Sequence, residues 1–399
     1  MLTPPLSKSD ALRALVLADA TDLRAAVRLP ADEALPRDVE VLAAGLDALR
    51  AGASDIDCRD GGAPFRFLVA QAAVTPGRAV RFTGTARLGE RPHGPLLRAL
   101  RDALGPHGLS ITEGAPWPLQ VQAPGHPESA THFAVTGAES SQFASALLLA
   151  AARLVARDRV PREVRVEGAL ASEGYLAMTQ RWLRAFGFAL ETPSPGVTRL
   201  ASWTKPSRVP QVPGDWSSLT VLLPLAWRRG ERVARLALDS GHPDETVVTH
   251  LASVGLRLEG DRVIGAARGG LDVDVSPCPD AAPALVALAC ALPAPSRFTR
   301  CAVLRHKESD RLAALAALVT AAGGRARIDD DTLHVEPPAS PRDFDFDAHD
   351  DHRLAMASAV AAALLGVRVR LSGRDSVAKS FPGFWRELER AGFSVEVPP

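Results

Sequence analysis

Six stretches of the chain are apolar on all sides, and each begins with a polar or small residue. A helix that is apolar all round must be covered by other elements, so these stretches predict six buried helices. They are Ser9 to Ala20, Ala63 to Val74, Ser140 to Leu154, Asp215 to Trp227, Asp280 to Leu292 and Asp351 to Leu365.

Six amphipathic stretches alternate with the buried ones, and each ends at a glycine. They are Val39 to Gly52, Pro92 to Gly105, Gly174 to Gly187, Thr246 to Gly255, Leu312 to Gly323 and Pro382 to Gly392. Most of these glycines precede a β-like stretch, such as Phe188-Ala189-Leu190-Glu191 after Gly187, which is typical of a helix that leads into a strand. The repeating unit is therefore strand, buried helix, strand, exposed helix and strand, with a period of roughly sixty residues.

Three units in each half of the chain predict an α/β protein of two domains, with buried parallel helices and outer sheets. We expect an N-terminal domain over residues 8–210 and a C-terminal domain over residues 211–399. The segment 205–214 contains three prolines and one glycine, which is typical of a crossing between domains. Parallel helices would bring their N-termini to one face, where the two halves could close on a ligand.

Charge and cysteine content exclude several classes of protein. The 46 basic and 46 acidic residues give no net charge, so the sequence favours neither nucleic acid nor a membrane as a partner. The chain has no apolar run of about 18 residues, and its first residues lack the basic and apolar regions of a signal peptide. The four cysteines show no metal-binding spacing, which predicts reduced thiols in a cytoplasmic protein.

The densest group of charged residues lies between Arg305 and Arg311, where seven residues contain three cations, one histidine and two carboxylates. Asp310 and then apolar residues at helical spacing from Leu312 to Val319 place the group at a helix N-terminus. Cations there are unfavourable unless an anionic ligand compensates them, so we expect a substrate that carries phosphate or carboxylate. An exposed helix start with solvated ion pairs is the alternative.

Seven motifs in order along the chain carry a resemblance to a known family. They are Pro5-Leu6-Ser7-Lys8-Ser9 with Arg13, Gly62 with Arg66, Leu88-Gly89-Glu90-Arg91-Pro92, Ser140-Ser141-Gln142-Phe143, Lys307-Glu308-Ser309-Asp310-Arg311-Leu312, Asp351-His352-Arg353-Leu354-Ala355-Met356 and Lys379-Ser380-Phe381-Pro382. The chain resembles the 5-enolpyruvylshikimate-3-phosphate (EPSP) synthases and looks like a divergent, N-terminally shortened member of the enolpyruvyl transferase family. The resemblance implies a two-domain inside-out α/β barrel with six repeated units.

The resemblance also implies an activity. Such enzymes transfer the enolpyruvyl (carboxyvinyl) group of phosphoenolpyruvate to the 5-hydroxyl of shikimate 3-phosphate by addition and elimination, and they release phosphate. No metal or other cofactor is implied, and the sequence contains no nucleotide-binding glycine motif in a fitting context. The expected partners are the two small substrates, and we expect the protein to be a monomer.

Both substrates carry a phosphate and a carboxylate, so the implied site needs many cations. For phosphoenolpyruvate, the resemblance assigns Lys8, Gly62, Arg91, Gln142, Arg311, Arg353 and Lys379. For shikimate 3-phosphate, it assigns Ser9, Arg13, Ser140, Ser141, Ser172 and Tyr175. For catalysis, it assigns Asp280 with Lys307 to the attacking hydroxyl and Glu308 to the proton at C3, and its further candidates are Lys8 and His352.

Ordinary structural roles stay open for three of these residues. Tyr175 could be a core aromatic side chain of an amphipathic helix, and Asp280 could be the N-cap of an apolar one. His352 could cap its helix and orient Arg353.

The chain also departs from the family pattern at three positions, which are Leu6, Asp60 and Ala63. Asp60 would repel a carboxylate ligand unless Arg59 or Arg66 neutralises it. The segment 52–60 is too short for the usual strands of the first repeat, so we expect a trimmed sheet or exposed sheet edges.

Because of these departures, one alternative function is that of a diverged paralogue that acts on, or only binds, another hydroxylated anion. Another is the sister enzyme that acts on a UDP-sugar through a mobile-loop cysteine, but no cysteine of this chain falls in such a loop.

Overall fold

The computed structural model describes residues 1–31, 33–114, 117–137, 140–169 and 173–393. The helices are α1 Lys8–Ala20, α2 Arg37–Ala51, α3 Gly62–Ala73, α4 Ala86–Glu90, α5 Gly94–Leu104, α6 Ser141–Asp158, α7 Glu173–Ala185, α8 Trp216–Arg229, α9 Val247–Ser253, α10 Ala282–Ala289, α11 Arg311–Ala321, α12 His352–Leu365 and α13 Phe384–Arg390. The strands are β1 Asp55–Asp57, β2 Ala79–Thr83, β3 Ser110–Glu113, β4 Leu119–Gln122, β5 His132–Thr136, β6 Arg162–Glu167, β7 Phe188–Glu191, β8 Val197–Trp203, β9 Leu256–Glu259, β10 Arg262–Gly265, β11 Asp272–Asp274, β12 Ser296–Thr299, β13 Arg325–Asp329, β14 Thr332–Glu336, β15 Phe344–Asp347 and β16 Val369–Ser372. The strand expected after Gly392 lies outside the described residues.

The chain forms two compact units. The N-terminal unit contains Lys8–Ala31 and Arg37–Val212, and the C-terminal unit contains Met1–Ser7, Asp32–Pro36 and Pro213–Pro399. The division at residue 212 falls within the proline-rich segment 205–214. The sequence boundaries at 8–210 and 211–399 left the first seven residues unassigned and did not separate residues 32–36 from the N-terminal domain.

The three four-stranded sheets share one topology. Their strand orders are β1-β2-β4-β3, β5-β6-β8-β7 and β11-β12-β14-β13. In each sheet the first pair is parallel and the other two pairs are antiparallel. Each full repeat therefore ends in a hairpin and contains four strands. The sequence predicted three strands in each repeat, and this prediction is wrong.

The repeat around α8 reaches the same order by using the start of the chain. Leu2 pairs in parallel with Val233, Arg232 pairs antiparallel with Arg262, and β10 pairs with β9. Leu2 is fully buried in this position. The residues around Leu2 therefore take the place of the first strand of this repeat, although they lie about 230 positions away in the sequence. Local sequence patterns do not predict this pairing.

The first repeat has no sheet of its own among its described residues. Residues 8–31 and 33–51 form α1, a 3₁₀ turn at Arg24–Ala26 and α2, but no strand. Helix α2 packs directly on α3, and a Cβ on Gly45 would lie only 2.4 Å from Leu68 Cδ1. This close helix contact buries the apolar face of α2, so the trimmed repeat does not expose it.

The apolar helices form the core of each unit, as the sequence predicted. Almost every side chain of α3, α6, α8, α10 and α12 is buried, whereas the strands alternate between buried and exposed residues. The sheets therefore lie outside and the helices inside. Polar N-caps begin three of these helices: Ser140 for α6, Asp215 for α8 and Asp351 for α12.

Candidate functional site

In the N-terminal unit, the first two turns of α1, α3 and α6 lie together. Arg66 on α3 donates from Nη1 to Gln142 Oε1 at the start of α6 (2.6 Å) and from Nη2 to the Pro92 carbonyl (2.8 Å). Arg13 on α1 donates to Ser145 Oγ on α6 (3.5 Å). Because these contacts join residues near the same helix ends, the three helices are parallel and their N-termini face one side of the unit.

Arg13 is a buried cation whose described hydrogen-bond partners are all neutral. It is 3% exposed and donates to Thr179 Oγ1 (2.7 Å), the Ser9 carbonyl (2.7 Å) and the Tyr175 carbonyl (3.1 Å). Burial lowers the pKa of its guanidinium to about 10, although the negative charge of Asp10 opposes this shift. A buried charge whose hydrogen bonds all go to neutral groups is unfavourable, so this position favours an anionic ligand.

Lys8 and Arg91 flank the start of α3. Lys8 Nζ lies 3.1 Å from Asp38 Oδ2, and Asp38 is 3% exposed. A Cβ on Gly62, the first residue of α3, would lie 2.2 Å from Arg91 Nη1. The guanidinium of Arg91 therefore packs over the backbone of Gly62, in space that a side chain there would occupy.

His93 is a neutral histidine within this group. Its Nε2 donates to the Leu88 carbonyl (2.7 Å), and its ring lies 4.5 Å from that of Phe65. Burial and then the positive charge of Arg66 lower the pKa of His93 to about 3. The hydrogen bond closes the turn that carries Arg91, so His93 stabilises the position of that cation.

The pKa of His93 gives a pH dependence of stability. Unfolded histidine titrates near its ordinary value of about 6.5, so acidification between about pH 6.5 and 3 protonates the unfolded state alone. Between pH 6 and 4 we expect the wild type to lose roughly 2 kcal/mol more unfolding free energy than His93→Gln. Urea titrations across this range measure the difference, with His107→Gln on an exposed histidine as the control. If the unfolding free energies of the wild type and His93→Gln changed equally with pH, the assignment of His93 as a neutral histidine would be contradicted.

In the C-terminal unit, Arg311 is the centre of a charged network. Its side chain is 1% exposed and contacts Asp351 (2.8 Å), Glu308 (2.6 Å) and Asp280 (3.1 Å). Burial alone would lower the pKa of Arg311, but the charges of Asp351, Glu308 and Asp280 raise it above its ordinary value. Asp310 accepts a hydrogen bond from the Ala313 N–H and is the N-cap of α11. The charged motif thus lies at a helix N-terminus, and Arg311 is buried rather than solvated.

Asp280 joins three cations of this network. Its carboxylate contacts Arg353 Nη2 (2.9 Å), Arg311 Nη1 (3.1 Å) and Lys307 Nζ (3.6 Å). Burial alone would raise the pKa of Asp280, but Arg353, Lys307 and Arg311 hold it well below its ordinary value. Helix α10 begins at Ala282 without a side-chain cap. The alternative that Asp280 is an N-cap is therefore wrong.

Lys307, which is partly buried, and Lys379, which is buried, are the two amines of this network. Burial lowers the pKa of Lys307, and Arg311 adds to this effect while Asp280 opposes it. Lys379 is 2% exposed, with Nζ 3.7 Å from Glu308 Oε1. Each carboxylate that the sequence assigned to proton transfer thus lies beside a lysine.

His352 is the first residue of α12 and is 1% exposed, with Nδ1 4.0 Å from Asp351 Oδ1. Asp351, and not His352, caps the helix by accepting the Arg353 N–H (3.0 Å). The alternative that His352 is the cap is therefore wrong.

The structure places the assigned residues in two groups, one in each unit. The group of the N-terminal unit is Lys8, Ser9, Arg13, Gly62, Arg91, Ser140, Ser141, Gln142 and Tyr175. The group of the C-terminal unit is Asp280, Lys307, Glu308, Arg311, His352, Arg353 and Lys379. Ser172 lies outside the described residues.

Several polar residues of these groups were not assigned from the sequence. Ser145 and Thr179 share a hydrogen bond (2.8 Å) beneath Arg13, and Asp38 pairs with Lys8. A buried serine within an otherwise apolar helix was a signal for Ser145, but no sequence signal distinguished Asp38. Neutralisation of Asp60 by Arg59 or Arg66 stays a prediction.

Residues 7–388 match the family model of EPSP synthase (3-phosphoshikimate 1-carboxyvinyltransferase). This chain belongs to the EPSP synthase family. A 3-phosphoshikimate 1-carboxyvinyltransferase from Methanopyrus kandleri is 34% identical over 98% of this chain and 95% of the relative. One from Halorubrum lacusprofundi is 32% identical over 86% and 79% of the two chains.

Solved structures share the fold. An EPSP synthase structure from Acinetobacter baumannii has a TM-score of 0.71 at 21% identity and covers 98% of this chain and 95% of its own. The enolpyruvyl transferase NikO from Streptomyces tendae has a TM-score of 0.65 at 16% identity and covers 99% and 95%. The enolpyruvyl transferase fold expected from the sequence is confirmed. In the described part of the chain, no helix has the length and apolar character needed to cross a membrane.

Proposed function

We propose that this protein transfers the carboxyvinyl group of phosphoenolpyruvate to the 5-hydroxyl of shikimate 3-phosphate and releases inorganic phosphate. Membership of the EPSP synthase family supports the reaction. The single structural observation that carries it is Arg13, a buried cation in the second turn of α1 whose described hydrogen-bond partners are neutral. Such a position needs an anion of the kind that both substrates supply.

The reaction has two steps, and both involve proton transfer. In the addition, the 5-hydroxyl oxygen bonds to C2 of phosphoenolpyruvate, the hydroxyl loses its proton, and C3 gains one to become a methyl group. In the elimination, the bond between C2 and the phosphate oxygen breaks, and C3 gives up a proton to restore the double bond. The site therefore needs a base near the hydroxyl and a proton carrier near C3.

The C-terminal unit contains suitable groups for both tasks. Asp280 stays ionised because three cations surround it, so it orients the hydroxyl better than it removes a proton. Lys307 lies 3.6 Å away, and its lowered pKa makes the neutral amine more accessible than in an ordinary lysine. Glu308, between Arg311 and Lys379, carries the proton at C3. Lys8 and His352 are further candidates for proton handling.

The binding residues fall into two sets, one for each substrate. Arg13 with Ser9, the serines of the α6 start and Tyr175 would bind shikimate 3-phosphate. The groups for phosphoenolpyruvate would be Lys8, Gly62, Arg91, Gln142, Arg311, Arg353 and Lys379.

We also propose that the protein acts in the cytoplasm as a monomer. All four cysteines are free and buried, and the large hydrophobic residues exposed in the described chain are scattered singly.

Phosphate release tests the proposal. The wild type should release phosphate from phosphoenolpyruvate when shikimate 3-phosphate is present, and should release none with phosphoenolpyruvate alone. Unphosphorylated shikimate and a UDP-sugar serve as alternative acceptors. Release with another hydroxylated acceptor but not with shikimate 3-phosphate would identify a diverged paralogue and contradict the proposal.

The packing of Arg91 on Gly62 gives a second test. A methyl group at residue 62 would overlap the guanidinium, so Gly62→Ala should displace Arg91 and raise the KM for phosphoenolpyruvate by about tenfold or more. Gly105→Ala is the matched control, because a Cβ there meets nothing within 4 Å and φ is −56°. Steady-state kinetics that are the same for both variants would remove Arg91 from the phosphoenolpyruvate group.

A further inference from the structure

Asp351 is the most deeply buried carboxylate of the Arg311 network. Its side chain is 0% exposed, compared with 22% for Asp280 and 16% for Glu308. It accepts hydrogen bonds from Arg311 Nε (2.8 Å) and Nη2 (3.1 Å). It also accepts the Ser309 hydroxyl (3.0 Å) and the Arg353 N–H (3.0 Å). Four donors thus converge on a carboxylate that solvent does not reach.

The two ends of the Arg311 guanidinium have different partners. Asp351 holds the edge formed by Nε and Nη2 in a bidentate pair. At the other end, Nη1 donates to Asp280 (3.1 Å) and Nη2 donates to Glu308 (2.6 Å). Four of the five N–H groups of the guanidinium are therefore used by carboxylates. At this end, called the outer end, a ligand carboxylate can bind by exchange with Asp280 or Glu308, or through the remaining N–H of Nη1.

We propose that Asp351 is a positioning residue, which fixes Arg311 by its inner edge so that the outer end meets the carboxylate of phosphoenolpyruvate. This inference rests on the proposed function. Planar bidentate pairing fixes the orientation of a guanidinium as well as its place. Without it, Asp280 and Glu308 would draw Arg311 toward themselves, and the ligand would meet a cation in the wrong orientation.

Asp351→Asn separates this role from the helix cap. Asparagine is as good an N-cap as aspartate, so α12 should keep its first turn. The amide has one oxygen and no charge, however, and its NH₂ group cannot accept a hydrogen bond, so the bidentate pair with Arg311 is lost. Asp215→Asn is the matched control, because Asp215 is a buried N-cap of α8 whose side chain accepts the N–H (3.0 Å) and hydroxyl (2.6 Å) of Ser218.

The test measures kcat, the KM for phosphoenolpyruvate and the dissociation constant of shikimate 3-phosphate for both variants. For Asp351→Asn we expect the KM for phosphoenolpyruvate to rise about tenfold or more, with a smaller change in kcat. Its shikimate 3-phosphate affinity should stay within about twofold of the wild type. Asp215→Asn should leave all three quantities close to wild type. An unchanged KM in Asp351→Asn would overturn the proposal.

A double-mutant cycle with Arg311→Lys distinguishes positioning from general damage. If Asp351 acts through the guanidinium, Asp351→Asn should change the KM for phosphoenolpyruvate by less than about twofold in the Arg311→Lys background. A full, additive effect in that background would show a separate structural role and contradict the proposal. A wild type that releases no phosphate would instead refute the proposed function, so the two failures are distinguishable.

Discussion

Replacement of Asp280 by asparagine should lower turnover by roughly two orders of magnitude or more, because the attacking hydroxyl loses the charged group that orients it. The affinity for phosphoenolpyruvate should stay the same or increase. The reason is that Asp280 contacts both Arg311 and Arg353 in the structure, and asparagine removes its negative charge from both cations. Stopped-flow or quench kinetics give turnover, and calorimetry with shikimate 3-phosphate present gives the affinity.

The control for this substitution is Asp272→Asn. Asp272 also pairs with an arginine, Arg297 (2.9 Å), but on the outer face of β11 and β12 with 67% of its side chain exposed. Exposed pairs of this kind contribute little, so turnover should not change. Wild-type turnover in Asp280→Asn would remove Asp280 from the reaction.

Replacement of Arg13 by methionine should weaken the binding of shikimate 3-phosphate by about a hundredfold or more. Each charge-assisted hydrogen bond to an anion contributes about 1.5–3 kcal/mol, and a guanidinium supplies two such bonds. Because Arg13 is a buried charge with neutral hydrogen-bond partners, methionine should leave the thermal midpoint unchanged or higher. Binding and stability would then change in opposite directions, which a purely structural arginine does not produce.

Arg153→Met is the contrasting control. Arg153 lies in the same unit but contacts Asp19 Oδ2 (2.5 Å) and Gln71 Oε1 (2.5 Å), so it has a counter-ion. Its loss should lower the thermal midpoint and leave the dissociation constant of shikimate 3-phosphate unchanged. If Arg13→Met destabilised the protein and bound shikimate 3-phosphate normally, Arg13 would be a structural residue.

Helix positions could be predicted from the sequence because burial follows a local pattern. The apolar stretch from Asp351 to Leu365 corresponds to α12 at His352–Leu365, and the stretch from Leu312 to Gly323 corresponds to α11 at Arg311–Ala321. Caps were also predictable, since Asp310 precedes α11 by one residue and accepts the expected N–H.

Strand pairing could not be predicted in the same way. Strand β4 has only four residues, and its identity as the central strand between β2 and β3 depends on tertiary contacts. The pairing of Leu2 with Val233 depends on chain segments far apart in sequence.

The roles of individual carboxylates could not be predicted from the sequence either. Asp280 and Asp351 both begin apolar stretches of the sequence, so their local patterns are alike. Only Asp351 is a cap, because α10 begins two residues after Asp280 and leaves that carboxylate free to meet Arg311, Arg353 and Lys307. The bidentate pair of Asp351 with Arg311 joins residues 40 positions apart, which local spacing does not reveal.

The most direct test of the central claim is carbon-13 NMR of the reaction in heavy water, with phosphoenolpyruvate labelled at C2. We expect a new vinyl ether carbon to appear in step with free phosphate, only when shikimate 3-phosphate is present. The product should carry deuterium at C3, because C3 passes through a methyl group between addition and elimination. Release of phosphate with labelled pyruvate as the sole carbon product would show a phosphatase and contradict enolpyruvyl transfer.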